Sequence, residues 1–238
     1  MGFVTKLLKY GFYLYLLSSF KSVPGAYFVR FYRHVFKNIF IPLLFGEKGD
    51  SGEMQKIQSK LRNDKYGAMA QTKLSTYVSP MECDFYFHKN NATYFEELDV
   101  SRCDLMTKIF QGLFTNWGKQ WPYIPVANVF TNYLKELRPF ESYNVYSSII
   151  CWDNKWIYVL SRFTKQNDKV LCSLSLTKYV LKERRKTIQP KMALMECGLW
   201  NQEVEKLSSK NYKILTEKCG FHETTPLEEM DFSKFLII

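Results

Sequence analysis

The chain has 238 residues, of which 46% are hydrophobic and 17% aromatic, and it carries a net charge of +10. This composition excludes a disordered tail and favours one domain with attached segments over two full domains. Six of the ten net positive charges lie before Glu47, the first acidic residue. Because the excess charge is concentrated at the N-terminus, a nucleic-acid-binding surface spread over the domain is not expected.

The metal-binding residue types show no pattern typical of a metal site. The six cysteines form no CxxC pair, and the three histidines, His34, His88 and His222, are far apart. Zinc-site spacing is therefore absent, and nothing indicates a metal or a redox cofactor. Since the chain is long and has no secretory cleavage pattern, we interpret the cysteines as reduced residues, mostly in the core.

Residues 1–46, here called the leader, begin with an apolar run. Eleven residues separate Lys9 from Lys21, fewer than the roughly 20 that span a bilayer. A spanning helix is possible only if these lysines snorkel to the interface.

The second half of the leader reads YFVRFYRHVFKNIFIPLLF and places its basic side chains at helical spacing: Arg30, Arg33, His34 and Lys37. This pattern predicts a basic amphipathic helix that lies in a membrane interface. The absence of acids also fits a mitochondrial targeting segment, with the endoplasmic reticulum membrane as the alternative location. A helix that simply packs on the domain is the other interpretation.

A polar stretch with several glycines, residues 47–67, reads as a linker. The compact domain is expected at 68–238. Its first predicted strand is TKLSTYVSP, which ends at Pro80. Apolar residues then recur at helical spacing from Tyr94 up to Gly112, so this segment predicts one long buried helix.

The chain is β-rich from there to about Val180. Four predicted strands follow one another, with turn residues Asp153-Asn154 and Asn167-Asp168 between them. One strand, one buried helix and four further strands predict an α+β fold in which a single antiparallel sheet wraps around the helix. The segment NQEVEKLSSKNYKILTEKC predicts an amphipathic C-terminal helix, and the apolar FSKFLII needs a covering surface, either the domain or a second subunit.

The stretch before the long helix carries the motif D-x-x-x-H-x-N-N-A-x-Y, with Asp99 and Arg102 one turn apart in the helix. It resembles the hotdog-fold acyl-CoA thioesterases of the 4-hydroxybenzoyl-CoA thioesterase type, in the branch of thioesterase superfamily member six and its fungal, partly mitochondrial, relatives. The residues that match the motif are Asp84, His88, Asn90, Asn91, Ala92 and Tyr94. The resemblance extends from about Thr72 to Val180.

This resemblance implies an antiparallel sheet around a central helix, a homodimer or homotetramer, and an acyl-CoA substrate. It implies no separate cofactor, because coenzyme A is part of the substrate. It also implies that Asp84 attacks the thioester carbonyl or activates water, while the helix start near Asn91 to Tyr94 polarises that carbonyl. Two features depart from the family pattern. The segment SPMEC lacks a tryptophan and a second aspartate, and the bulky Phe85-Tyr86-Phe87 replaces a small loop.

Each candidate residue also has a structural interpretation. Asp84 could only stabilise a turn, His88 could orient Asp84 or bond the backbone, and Asn90 and Asn91 suit helix capping. Tyr94 fits the core, with its backbone N–H in the first helical turn. The helix acids Glu96 and Glu97 are explained by the helix dipole, although another hotdog subgroup uses a helix glutamate as its base.

The basic cluster KERRK could bind coenzyme A phosphates through Lys182, Arg184 and Arg185, or it could be a solvated surface. Three functions remain open from the sequence. The first is a membrane-associated acyl-CoA thioesterase, the second a non-catalytic hotdog protein that binds acyl groups or lipid or acts as a scaffold at a membrane. The third is a hotdog dehydratase.

Overall fold

The computed structural model describes residues 2–45, 51–116, 121–219 and 224–238. Its strands are β1 (Gln71–Tyr77), β2 (Val126–Tyr133), β3 (Ser142–Trp152), β4 (Trp156–Lys165), β5 (Val170–Glu183) and β6 (Lys186–Ile188). They form one sheet in the order β1-β3-β4-β5-β2, with β6 paired to β5, and every pair is antiparallel. The predicted strands are confirmed. Strands β3, β4 and β5 pair in succession as hairpins, but β2 pairs with β5 at the sheet edge instead of with β3, so the expected hairpin between β2 and β3 is wrong.

The helices are α1 (Phe3–Ser18), α2 (Ala26–Val35), α3 (Ile41–Phe45), α4 (Ser51–Asn63), α5 (Thr93–Ile109), α6 (Gln111–Thr115), α7 (Pro190–Glu196), α8 (Gln202–Lys213) and α9 (Thr225–Glu228). Short 3-10 turns occupy Phe20–Ser22, Gly67–Met69 and Pro80–Glu82, and π-helical turns extend α2 over Phe36–Phe40 and α8 over Ile214–Lys218.

The predicted turn residues close the two central hairpins. Asp153 Oδ1 accepts hydrogen bonds from the backbone N–H groups of Lys155 and Trp156, both at 2.7 Å. Asn167 and Asp168 have left-handed backbones with φ of 54° and 67°, a conformation that Asn and Asp tolerate because their short polar side chains bond locally.

Helix α5 is the central helix that the sheet wraps. Leu98, Leu105 and Ile109 have no exposed surface, which is why this segment shows an apolar helical period. Ser101 at mid-helix bonds Ser147 of β3 at 2.8 Å between the hydroxyl oxygens. The predicted α+β hotdog architecture is therefore confirmed in the described chain.

The leader does not lie apart from this domain. Helix α2 runs parallel to α5 on the face that the sheet leaves uncovered, since successive residues of one contact successive residues of the other. Arg30 bonds Glu97, His34 Nδ1 lies 3.0 Å from Asp104 Oδ1, and Asn38 Nδ2 donates to Thr107 Oγ1 at 2.8 Å. The predicted basic helix exists, but Arg30 and His34 bind acids of the central helix instead of facing outward.

The outer face of α2 is apolar as a consequence. Phe28, Val29, Tyr32 and Phe36 are more than half exposed. Most of the large apolar side chains of α1 are exposed as well, and none of its residues is buried. Within the described ranges, no helix has both the length and the apolar character needed to cross a bilayer.

The stretch predicted as a polar linker, 47–67, contains helix α4 from Ser51 onward; residues 46–50 lie outside the described part of the chain. Met54 and Leu61 are buried, and Gln58 Nε2 donates to the Lys108 carbonyl of α5 at 2.7 Å. The segment differs from the prediction because these few inward side chains suffice to dock an otherwise polar helix.

The C-terminal part covers the sheet. Helix α8 packs on β3 through Ser208 and Asn211, whose side chains bond the backbone of Trp152 and Ile150. The final residues pair with the start of β1, where Gln71 N–H donates to the Leu236 carbonyl at 2.6 Å and Ile238 N–H to the Gln71 carbonyl at 2.8 Å. Of the two predicted alternatives, the domain itself provides the covering surface for FSKFLII.

Candidate active site at the start of the central helix

The loop before α5 folds into a tight turn that holds Asp84. Asp84 N–H donates to the His88 carbonyl at 2.9 Å, and an isolated antiparallel β-bridge pairs Cys83 with Lys89. Asp84 Oδ1 accepts from the backbone N–H of Tyr86 at 2.9 Å and of His88 at 3.4 Å. Phe87 closes the turn in a left-handed conformation, φ 57°. The predicted turn-stabilising role of Asp84 is therefore present.

The same carboxylate also lines an open groove of about 690 Å³, here called the Asp84 groove. The end of α1 contributes Leu14 and Tyr15, and the facing loops contribute Phe87 and Phe140. Only Oδ1 of Asp84 has hydrogen bonds within the described chain, so Oδ2 remains available to a substrate or water. A carboxylate with one oxygen anchored and one unoccupied has the arrangement that a nucleophile or general base requires.

Two bulky residues at this groove have unfavourable backbones. Phe87 and Phe140 have φ of 57° and 66°, and both rings are more than 60% exposed. A left-handed conformation costs such residues about 1–3 kcal/mol each. Strain of this kind persists where the surrounding structure fixes it, and it concentrates at functional sites.

His88 does not orient the Asp84 carboxylate through its ring. Its Nε2 lies 3.4 Å from Glu136 Oε2, and only its backbone N–H contacts Asp84. Both side chains of the His88–Glu136 pair are about 40% exposed, so the contact contributes little to stability.

Asn90 organises the helix start. Its Oδ1 accepts from Ala92 N–H at 2.9 Å, and its carbonyl accepts from Thr93 N–H at 2.9 Å and Thr93 Oγ1 at 2.7 Å. Asn90 thus holds the turn before the helix, but it stands three residues before Thr93, and no side chain caps α5 at Ala92, so the predicted capping role is not realised. The backbone N–H groups of Ala92 and Thr93, near the helix start, are consequently already hydrogen-bonded.

Asn91 is exposed at the tip of this helix start. Its carbonyl accepts from Tyr133 Oη at 3.0 Å and, more weakly, from Tyr94 N–H at 3.4 Å. Across the described residues, no acceptor bonds the Asn91 N–H. This group and the positive end of the α5 dipole are the electrophilic features that the helix start offers to a carbonyl oxygen.

Tyr94 belongs to the core. Its ring is 2% exposed and lies against Tyr133 and Phe163, with ring centroids 5.0 and 4.9 Å away. Burial raises the pKa of Tyr94 well above its usual value. The hydroxyl therefore stays protonated at neutral pH, which agrees with the structural interpretation of this residue.

A buried ion network lies behind the helix start. Lys21 Nζ is 2.9 Å from both Glu82 Oε1 and Glu97 Oε1, Arg30 forms a two-pronged pair with Glu97, and Lys89 Nζ is 3.2 Å from Glu82 Oε2. Glu97 has no exposed surface. Burial alone raises the pKa of Glu97, but hydrogen bonds from Arg30 and the charges of Lys21 and Arg30 outweigh it and hold the pKa at about 2.

This network was missed in the sequence. Its acids Glu97 and Asp104 are seven residues apart on α5, whereas their partners Arg30 and His34 are four apart on α2, so residue spacing alone does not pair them. The sealing of Glu97 by Lys21 and Arg30 removes it as a candidate base, because neither water nor substrate reaches it.

Lys182, Arg184 and Arg185 lie at the other end of the sheet. Strand β5 starts near the Asp84 loop. The Cys172 carbonyl accepts from the N–H groups of Leu134 and Lys135, and the Leu137 carbonyl, two residues further on, accepts from Lys89 N–H. It runs for 14 residues before the turn at Arg184, a length of roughly 45 Å when extended. Within one chain these residues do not join the Asp84 groove.

The sheet wraps around one helix, and the loop that enters this helix carries a carboxylate with only one of its oxygens hydrogen-bonded. These two features define a hotdog domain of the thioesterase type. The chain belongs to the Thioesterase-like superfamily, which residues 78–196 match. The resemblance inferred from the motif is confirmed.

Relatives support this assignment. The chain is 60% identical to "Probable thioesterase YBR096W" of Saccharomyces cerevisiae over 97% of this chain and 96% of that protein. It is 25% identical to "Protein THEM6" of Xenopus laevis over 53% of this chain and 60% of that protein. Among solved structures, the chain is similar to the YbaW probable thioesterase of Escherichia coli, with 20% identity, 58% and 98% of the two chains covered, and a TM-score of 0.42, a similarity on which the family assignment does not rest.

Proposed function

We propose that this protein hydrolyses the thioester bond of an acyl-CoA, releasing a carboxylic acid and the coenzyme A thiol. One observation carries the proposal: Asp84 lies on the loop before α5 and lines the Asp84 groove, with Oδ1 held by its own turn and no hydrogen bond to Oδ2 within the described residues. In this role, Asp84 attacks the carbonyl carbon or takes a proton from the attacking water. The Asn91 N–H and the α5 dipole stabilise the negative charge that develops on the carbonyl oxygen.

The test measures thiol release from a panel of acyl-CoAs by the full chain, with wild type beside Asp84→Asn. Asp64→Asn is the matched control, because Asp64 is also half-buried and accepts a backbone N–H, from Tyr66 at 2.7 Å. We expect Asp84→Asn to lower kcat by at least about a hundredfold, the usual size of a lost base, and Asp64→Asn to leave it unchanged. Equal effects of the two variants would contradict the role of Asp84.

A non-catalytic acyl-binding protein is the second candidate. Two observations favour it: the donors of Ala92 and Thr93 are already occupied by Asn90, and the exposed Phe85, Tyr86 and Phe87 surround the carboxylate with apolar surface. It predicts acyl-CoA binding without thiol release at any chain length. Water addition to an enoyl-CoA, measured separately because it releases no thiol, would instead identify a dehydratase.

We also propose a homodimer formed through β2. This strand is an edge of the sheet, and no strand in the described ranges pairs with its outer side. Pairing with a second copy would satisfy the row of open backbone groups. It would also place the basic cluster of a second subunit, Lys182, Arg184 and Arg185, beside the Asp84 groove as a binding site for the phosphates of coenzyme A. The molar mass in solution, measured by light scattering, tests this arrangement.

The leader is proposed to hold the protein at a membrane, with the mitochondrion ahead of the endoplasmic reticulum as its location. The support is the exposed apolar surface of α1 together with the outer face of α2, Phe28, Val29, Tyr32 and Phe36. Co-flotation with phospholipid vesicles tests the contact, and imaging of the tagged full chain tests the location. Replacing Phe28, Val29, Tyr32 and Phe36 by serine should release the protein from vesicles without changing its fold.

A further inference from the structure

A second cavity lies between α2 and α5, on the far side of the ion network from Asp84. It encloses about 530 Å³, within the range of about 300–1,000 Å³ in which proteins hold a single organic ligand. We call it the leader groove. Two of its walls are formed by the leader, through Phe31, Val35 and Ile39, and by α5, through Cys103 and Met106. The third is formed by the segment entering β2 and by strands β2 and β5, through Ile124, Val126 and Tyr179.

The shape of the leader groove follows from the two parallel helices. Its leader wall extends from Tyr27 to Phe40, which corresponds to roughly 20 Å of helix. Spread over that length, the volume of about 530 Å³ gives a mean cross-section of only about 26 Å². A cavity that is long and narrow fits an unbranched hydrocarbon chain better than a compact ring system.

The two ends of the leader groove differ in polarity. At one end, Tyr27 and Arg102 both bond Asp99, so the charges there are balanced. At the other end, Trp121 stacks on Phe40 and packs edge-on against Phe114, with ring centroids 5.7 and 5.3 Å apart. The apolar end is therefore the end farther along α5.

The polar end points toward the start of α5. Phe95, Asp99, Arg102 and Met106 follow one another at i+4, i+3 and i+4, so they share one face of the helix. Asn91 stands one turn before Phe95 at the top of that face, and Phe95 is 38% exposed. A carbonyl bound at the Asn91 N–H would thus send its chain along this face and into the leader groove.

We infer that the leader groove holds the tail of a long-chain acyl group while the thioester lies at the start of α5. This inference rests on the proposed thioesterase function and names its substrate class. Asp99 lies eight residues beyond Asn91, about 12 Å along the helix. Short acyl groups therefore end before the groove, and only long ones bury their methylenes in it.

The test compares Val35→Trp, which fills the leader groove, with Val29→Trp, the same substitution on the exposed outer face of α2. Thiol release is measured for acetyl-, butyryl-, octanoyl- and palmitoyl-CoA with the full chain. Each buried methylene contributes roughly fourfold to affinity. We expect Val35→Trp to lower kcat/KM for palmitoyl-CoA by at least about tenfold and to leave butyryl-CoA within about twofold, while Val29→Trp leaves both unchanged.

Equal losses for butyryl- and palmitoyl-CoA, or no loss for either in a folded Val35→Trp protein, would overturn the inference. Binding of the fluorescent fatty acid parinaric acid to Asp84→Asn separates this inference from the proposed function. If wild type releases no thiol but parinaric acid binds and Val35→Trp abolishes that binding, the groove is an acyl site in a non-catalytic protein. If parinaric acid does not bind, or binds Val35→Trp as well as it binds Val29→Trp, the groove is not an acyl site.

Discussion

Replacing Arg30 by methionine should destabilise the whole domain, although Arg30 lies in the leader. Methionine keeps most of the apolar stem but removes both hydrogen bonds to Glu97. Glu97 is fully buried and its pKa is held at about 2, against an ordinary value of 4.5. Lys21 shares in this lowering of the pKa, and removing one partner of a buried pair typically costs about 3–5 kcal/mol. We expect a loss of about 3 kcal/mol for Arg30→Met.

The assay is urea unfolding of the full chain followed by far-ultraviolet circular dichroism, with Arg33→Met as control. Arg33 is an exposed arginine on the same helix, so its replacement should change the free energy of unfolding by less than about 0.5 kcal/mol. If Arg30→Met changes it by no more than Arg33→Met does, the leader does not stabilise the domain through Glu97, and the reasoning fails.

Further predictions concern the same contacts. Folding lowers the pKa values of Glu97 and Asp104 to about 2. The stability that these two carboxylates contribute is therefore present above about pH 4.5 and should be lost as the pH falls from there toward 2. A Tm that does not change across this pH range would contradict this prediction. Deleting residues 1–19 should leave a cooperative unfolding transition. Deleting residues 1–45 should abolish that transition, because it also removes Lys21, Arg30, His34 and Asn38. Equal transitions of the two proteins in calorimetry would refute this. Tyr94→Phe should keep thiol release within about twofold of wild type, because the hydroxyl is buried and stays protonated; a large loss would give Tyr94 a chemical role.

The sheet and the central helix could be predicted because their signals are local. Hydrophobic periodicity marked α5, and turn residues such as Asp153 and Asn167 marked the hairpins between β3, β4 and β5. The position of Asp84 before the helix followed from a motif of adjacent residues. These features depend on residues close together in the chain.

The orientation of the leader could not be predicted in the same way. Periodicity defines the two faces of α2 but does not say which one turns inward, and an apolar face is ordinarily assigned to the core or to a membrane. Here buried acids on α5 reverse that assignment by drawing Arg30 and His34 inward. The leader groove could not be predicted either, because it exists only where α2 lies along α5 and the sequence does not show which face of α2 turns inward.

The pairing of the leader with α5 has a consequence during synthesis. Lys21, Arg30 and His34 leave the ribosome first, but their partners Glu97 and Asp104 come 67 to 76 residues later. At about 5–20 residues per second, the positive charges of the leader stay uncovered for several seconds. During that interval the nascent chain presents a basic, acid-free N-terminus to any receptor or anionic lipid surface that reads such signals. Once α5 has folded against the leader, Lys21, Arg30 and His34 are paired with its acids, so these three charges are free to meet another surface only before the domain folds.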